Sequence, residues 1–582
     1  MRLLLPLFAV LAVLRPLDFA RGQETSESAV VLPPFIVEEA NKGPPWRYAE
    51  MPGFEILSRC DDRTTRDLAL AHFRLHRLLA LLLPDRLQLS FAVPRTIIFY
   101  DEELQSPASR EVIASMLQRA AKEAPPIELP AVEPGRFSLR GPLVPSPTAQ
   151  HINFLPNLRL WDEDAMAVFA IVRAGAFDSD RLVLTRDYVN YLLINRTPEL
   201  PWWFVGGVLG LYEHTEYDSG SLTLGPMIWI SEQQTRALKK DPKTAPAPLP
   251  LAEFFSGVPP HAAPEEEARR QIWIAQSALF VRWALDGRTP EQREAFWDLV
   301  DRTPGVVAPA AFERCFGIDF ATADAQLAAY LPTAVRQSLT LRPAHSLKLP
   351  EISLRNASDA EIARLKGDWE RLEVGFVRSR MPEFADKYLE QARRTLHRAY
   401  DRGERDPRLL AVLGLCECDV GADATAREFL EAAALRGPLR PRAAYELARL
   451  RFAEADAAPK GKDGRLSVAQ ATQIFTPLFA VREQAPALPE IYELIAQVWG
   501  RMDFPPARGH LAVLYEGVTL FPRRSRLVYQ TAALYADHGF TTEAAKLIRL
   551  GLMVATDDAE RERFTQLQTR LADNQPRSDH VP

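Results

Sequence analysis

Small residues recur along the C-terminal part of the chain at distances that paired helices explain. Relative to Gly414, Ala426 stands at +12, Ala433 at +19 and Pro438 at +24, and Ala448 restarts the series at +34. A second series runs Ala496, Gly517, Pro522, and a third Ala532, Ala544, Gly551. The starts at Ala448, Ala496 and Ala532 are spaced by 48 and then 36, so they exceed the first interval by 14 and 2. The first excess matches the insert ADAAPKGKDGRLS and the second the longer turn DFPPA. Ala392 and Ala399 mark an earlier partial unit. Small side chains let two helices approach, proline ends a unit, and each helix pair must stack on its neighbours to bury its apolar face. Residues 361–572 are therefore expected to form an all-α solenoid.

This spacing resembles the tetratricopeptide repeat. The resemblance implies four to five units with a concave face that holds a protein or peptide partner, or a rigid spacer, and it implies no enzymatic residue.

The stretch from Ser179 to Glu213, SDRLVLTRDYVNYLLINRTPELPWWFVGGVLGLYE, reads as two short helices joined by a Pro-containing turn. Val189, Leu192 and Leu193 share one face at helical spacing, as in any amphipathic helix. Upstream, Phe54-Glu-Ile-Leu and Arg95–Tyr100 read as strands around a helix over 64–83, and Leu158-Arg-Leu-Trp with Ala165–Val172 as a hairpin across Asp162-Glu-Asp. Downstream, Ser221–Leu224 and Met227–Ile230 read as a strand hairpin, and three helices follow from Arg269.

In combination these elements resemble a gluzincin-type metallopeptidase domain covering residues 46–331. In that family the first helix carries H-E-x-x-H, and a Glu-Gly pair follows a Pro-x-Trp turn. Here the turn is Pro201-Trp202-Trp203 and the closing aromatic is Tyr212; Gln276–Leu279 and Phe312–Gly317 match later packing signatures. The resemblance places the first metal-ligand position on Arg186, the catalytic acid on Asp187, the second ligand on Asn190 and the third on Gly206. No His in the chain is followed by Glu.

Those substitutions remove the chemistry. Zinc takes imidazole, thiolate or carboxylate ligands, whereas Arg186 offers only donors on a fixed positive charge. Asn190 has one weak carbonyl oxygen, and Gly206 has no side chain. Without the ion, water keeps a pKa near 15.7 rather than about 7, roughly 12 kcal/mol of nucleophile activation lost. The expected fold is an α+β zincin-like domain, inactivated, followed by the solenoid. The expected protein is not an enzyme and holds no metal or cofactor; the alternative is an active hydrolase with a relocated site. A further expectation is that the Arg186 guanidinium fills the cation position beside Asp187 or Glu213. His72 and His76, one helical turn apart, are expected to be partly exposed helix histidines rather than ligands. His214 and Asp218 are expected to lie at a solvated helix end.

The 582 residues are long enough for three or four domain-sized units. Net charge of −6 without a basic stripe argues against nucleic acid as partner. Arg2 followed by an apolar run from Leu3 to Leu14 fits a secretory signal over 1–22, which implies export to the periplasm or outside the cell. No integral membrane segment is expected after its removal. Residues 23–45 read as a flexible lead-in, 332–360 as a linker and 573–582 as a disordered tail. Cys60, Cys315, Cys416 and Cys418 suggest neither a disulfide framework nor a zinc knuckle. Nothing in the sequence sets an oligomeric state.

Overall fold

In the computed structural model the described residues are 45–84, 87, 95–101, 158–161, 164, 166–172 and, apart from short stretches, 186–573. The leader, most of the lead-in, residues 108–151 and the tail from 574 lie outside them. Strands β1 (Arg47–Met51) and β2 (Phe54–Ser58) form a hairpin that turns at Gly53, whose φ of 83° a side chain would resist. Helix α1 (Asp62–Leu79) starts at Asp61, whose carboxylate accepts the backbone N–H groups of Arg63 and Thr64. Strand β3 (Arg95–Asp101) returns parallel to β2 with Ile97 opposite Ile56. Strands β4 (Leu158–Trp161) and β5 (Met166–Val172) are the expected hairpin, and β5 runs parallel to β3. Ile56, Leu57, Ile97, Ile98 and Phe99 are all buried, as central parallel strands covered on both faces require.

The helical part of this half begins with α2 (Arg186–Ile194) and α3 (Trp202–Tyr212). Strands β6 (Thr215–Tyr217) and β7 (Leu222–Leu224) follow, then α4 (Glu232–Lys240), α5 (Leu251–Phe254), α6 (Glu267–Leu285), α7 (Pro290–Arg302), α8 (Pro309–Phe316) and α9 (Phe320–Ala334). Strand β8 (Leu339–Leu341) pairs with β7, and β9 (Arg355–Asn356) pairs with β1. The described strands thus make a six-stranded sheet in the order β4-β5-β3-β2-β1-β9 and a three-stranded sheet β6-β7-β8.

Two sequence expectations change here. Met227–Ile230 is not a strand: Met227 N–H donates to the Ala334 carbonyl, Trp229 N–H to Thr235 Oγ1, and Ile230 sits at φ 60°, outside strand geometry. The partner of β7 is instead β6, and then β8, far along the chain. The last of the three expected helices splits in two. Gly317 takes φ 71° at the end of α8, and Asp319 caps α9 through Thr322 N–H. The segment read as a linker carries β8 and β9 and so contributes to both sheets.

From Asp359 onward the chain is a stack of helix pairs. These are α10 (Asp359–Arg380) with α11 (Ala385–Asp401), α12 (Pro407–Val420) with α13 (Asp423–Ala434), and α14 (Pro441–Ala457) with α15 (Val468–Val481). Next come α16 (Pro489–Arg501) with α17 (Arg508–Leu520), and α18 (Ser525–Asp537) with α19 (Thr541–Val554), closed by α20 (Asp558–Asp573). The small residues sit where the periodicity requires. A Cβ added to Gly414 would lie 2.5 Å from Leu430 Cγ on the paired helix, and one on Gly517 2.5 Å from Tyr492 Cγ. Gly367, which the spacing did not reveal, meets Leu396 in the same way and completes the first pair. Ala392, Ala399, Ala426, Ala433, Ala448 and Ala532 are buried in one continuous core. The two departures from the repeat period pack on each other. Leu466 N–H donates to the Arg501 carbonyl at 2.8 Å, and Asp503 N–H donates back to the Leu466 carbonyl at 3.0 Å.

Candidate functional site

Helices α2 and α3 lie side by side in one apolar core, with Val189, Leu192 and Leu193 packed among Trp203, Phe204 and Val208. Trp203, the aromatic of the Pro-x-Trp turn, makes edge contacts with Phe255 at 5.5 Å and Phe280 at 5.3 Å. Arg186 and Asp187 occupy the first turn of α2, but their side chains lie outside the described residues, as does any pairing of Arg186 with Asp187 or Glu213. Asn190, one turn on, is buried at 7% exposure.

The two glycines of α3 differ. A Cβ on Gly207 would run into the Ser277 carbonyl and come within 2.7 Å of Val281 Cγ2, so packing against α6 excludes any side chain there. Among the described residues a Cβ on Gly206 would meet only Ser277 Cβ, at an ordinary contact distance of 3.9 Å. The position at which the resemblance expects the third ligand therefore carries no side chain, although α6 leaves space for one.

The other candidate residues have structural roles. His72 and His76 are buried rather than partly exposed, and Phe54 meets His72 edge-on at 4.7 Å. Asp218 closes the β6–β7 turn, accepting the N–H of Gly220 and of Ser221 at 2.7 Å and the Ser221 hydroxyl at 2.6 Å. Those bonds, the Ser221 hydroxyl first, hold its carboxyl below the ordinary value. His214 lies just past the end of α3, where its carbonyl accepts Gly225 N–H. Among the described residues no group of three metal-capable side chains converges, and no helix is long and apolar enough to cross a membrane.

The chemistry concentrated elsewhere is a set of carboxylates from the sheet-bearing half gripped by arginines of the array. Glu55 on β2 takes a two-pronged contact from Arg364 on α10 at 2.6 and 2.8 Å, and a third from Arg408 on α12 at 3.0 Å. Tyr48 adds its hydroxyl at 2.6 Å. Burial works to raise the Glu55 carboxyl, but Arg364, Tyr48 and Arg408 together outweigh it and the net shift is downward. Asp164, in the β4–β5 turn, has no exposed surface. It pairs with Arg440 at 3.0 Å and accepts Arg442 N–H at 2.8 Å, in the first turn of α14. An anion is favoured there because the backbone N–H groups of a first turn lack helical partners. Arg440 also reaches Asp368 at 2.9 Å, and Asp368 takes Arg371 at 3.0 Å. Glu199, just before α3, pairs at 3.0 Å with Arg523, which stacks 4.7 Å from the Trp202 ring centre. Sequence reading missed this set, because each pair joins positions hundreds of residues apart and the acids sit in ordinary turns and strands.

No protein-family model and no curated protein sequence matches the chain. Among solved structures it is similar to MamA, at 14% identity over 33% of this chain and 95% of that one, with a TM-score of 0.23. It is also similar to TTC0263, a thermophilic TPR protein of Thermus thermophilus, at 19% identity over 35% and 97% with a TM-score of 0.23. The TPR domain of P58(IPK) matches at 13% identity over 59% and 93%, with a TM-score of 0.16.

Proposed function

We propose that this chain is an exported, non-catalytic interaction protein, in which a lapsed gluzincin-like domain of residues 46–331 is carried by a tetratricopeptide-type array that engages a protein or peptide partner. The observation that carries the lapsed-enzyme reading is Gly206. It stands on a helix packed beside Asn190's helix, has room for a side chain among the described residues, and presents none. A carboxylate at that position is what a third zinc ligand requires. The array supports the interaction role: its helix pairs stack into one continuous core, and such stacks present an extended surface.

The test is elemental analysis of the purified full chain with a peptide-library cleavage assay. Zinc well below one ion per chain and no chelator-sensitive cleavage are the expected results. Stoichiometric zinc with chelator-sensitive cleavage would establish the competing reading, a hydrolase with a relocated site. Export is tested by the N-terminus of the protein recovered from cells: a new N-terminus close to Gly22 is expected, and an intact Met1 on exported protein contradicts the signal reading.

A further inference from the structure

The arginines that grip Glu55, Asp164 and Glu199 are not scattered over the array. Arg408 and Arg442 stand one repeat period apart, each directly after the proline that opens its helix, Pro407 and Pro441; Arg408 grips with its guanidinium, whereas Arg442 gives Asp164 its backbone N–H and turns its guanidinium to Glu446 at 2.8 Å. Arg440 caps the start of α14, and Arg523 lies just ahead of α18. On α10, Arg364, Asp368 and Arg371 follow at intervals of four and three, so they share one face. That face meets Glu55 directly and Asp164 through Arg440. Arg364 and Arg371 are 7% and 8% exposed, so the surface they line is covered. At Arg364 the cover includes Glu55 of β2, and β4, the sheet's edge strand, packs against the same helix; Arg371 is held by Asp368 and by Asp419 of α12. A strand edge laid against a helix is thereby shielded from pairing with another chain.

We infer that the arginine-bearing side of the array is a carboxylate-docking surface whose occupant is this chain's own sheet-bearing half, so that the two halves are latched as one closed unit. The latch has three points. Glu55 sits between Arg364 and Arg408, Asp164 between Arg440 and the first turn of α14, and Glu199 on Arg523. A fourth contact, Arg355 to Glu361 at 2.7 Å, ties β9 to the first turn of α10. A partner seeking the array then meets these arginines already taken, and an acidic segment in trans reaches them only by displacing the sheet-bearing half. This holds whether or not that half descends from a peptidase.

Hydrogen exchange on the full chain tests it, comparing wild type with the triple variant Glu55→Gln, Asp164→Asn, Glu199→Gln. Exchange is expected to rise by about tenfold or more over 54–58, 158–172 and 440–446, while 525–554 stays at the wild-type rate; a tenfold change reports a weakening of the closed state by about 1.4 kcal/mol. A triple variant with wild-type circular dichroism and unchanged exchange at all three segments overturns the inference. Should the triple variant not fold, the partly exposed Glu199–Arg523 pair gives a second route. Glu199→Arg and Arg523→Glu alone are each expected to raise exchange over 199–204, and the double exchange of charges to restore it. A double variant no better protected than the singles overturns the latch.

Discussion

The repeat array and the sheet-bearing half cover their apolar surfaces at opposite ranges of the sequence. In the array, each helix packs on its neighbour in sequence, and Gly414 against Leu430, 16 residues on, is typical of the contacts. In the other half, β7 reaches its second partner across more than a hundred residues, and β1 is flanked by a strand some three hundred residues later. Local contacts leave a period in the sequence, whereas long-range ones leave only composition. The seam between the halves uses neither device: it is built from charged pairs, with Asp164 wholly buried.

The largest effect is expected at that seam. Asp164→Ala leaves the first turn of α14 facing a cavity and takes one of Arg440's two carboxylates; breaking a buried pair from one side costs about 3–5 kcal/mol, and Asp368, still on Arg440, places the expected loss toward the low end. Urea denaturation of the full chain should show it; a loss under about 1 kcal/mol, the range of an exposed pair, would mean the two halves hardly depend on each other.

Helix packing inside the sheet-bearing half comes next. Gly207→Ala drives a methyl group into the Ser277 backbone, which cannot swing aside. Overpacking of this kind costs about 1–3 kcal/mol. Gly517→Ala in the array drives its methyl group into Cβ and Cγ of the buried Tyr492 and is expected to cost a comparable amount, so the pair measures whether the array yields more readily than the other half. Thermal denaturation distinguishes them.

Two ionisable groups sharpen the contrast further. Glu373 on α10 is 3% exposed, and burial, then the neighbouring Glu370, hold its carboxyl well above 4.5. Folding therefore favours its protonated form, and stability is lost as pH rises above 4.5. Glu373→Gln is expected to raise the melting temperature at neutral pH, with the gain disappearing below pH 4.5; no gain at neutral pH would count against a buried, unfavourable carboxylate. Glu361 runs the other way. Burial opposes ionisation, but the Arg355 guanidinium and the Ser358 N–H and hydroxyl together outweigh it and bring the carboxyl down to about 2 from 4.5. Its contribution is complete above pH 4.5 and fades as pH falls toward 2. Glu361→Gln should therefore lower stability at neutral pH and make little difference near pH 2.

The smallest effect is Gly206→Ala, where among the described residues a methyl group meets Ser277 Cβ at an ordinary contact distance and helix propensity favours alanine by about 0.5–1 kcal/mol. A loss instead of this gain would show that something outside the described residues fills the position.

How much could be read beforehand follows the same division. Small residues at fixed distances exposed the array, down to the insert and the DFPPA turn, because each marks a contact with a neighbour in sequence. Gly367 escaped because the helix pair it opens precedes Gly414 by more than one period and so falls out of step with the series. Hydrophobic alternation and the turn Asp162-Glu-Asp exposed the β4–β5 hairpin for the same local reason. Met227–Ile230 is a short apolar run of the kind a buried strand makes, yet its backbone bonds go to the Thr235 hydroxyl and to Ala334, the latter more than a hundred residues away. Asn190 and Gly206 were named from sequence and do lie on adjacent packed helices, but the seam acids were invisible. A single Asp in a turn gives no sign that Arg440, nearly half the chain away, will bury it.

Calorimetry of the full chain, wild type beside Asp164→Ala, tests the latched unit most directly. The account predicts one cooperative transition in the wild type that separates into two in the variant, the sheet-bearing half melting first. Two transitions already resolved in the wild type, at temperatures the substitution does not move, would contradict it.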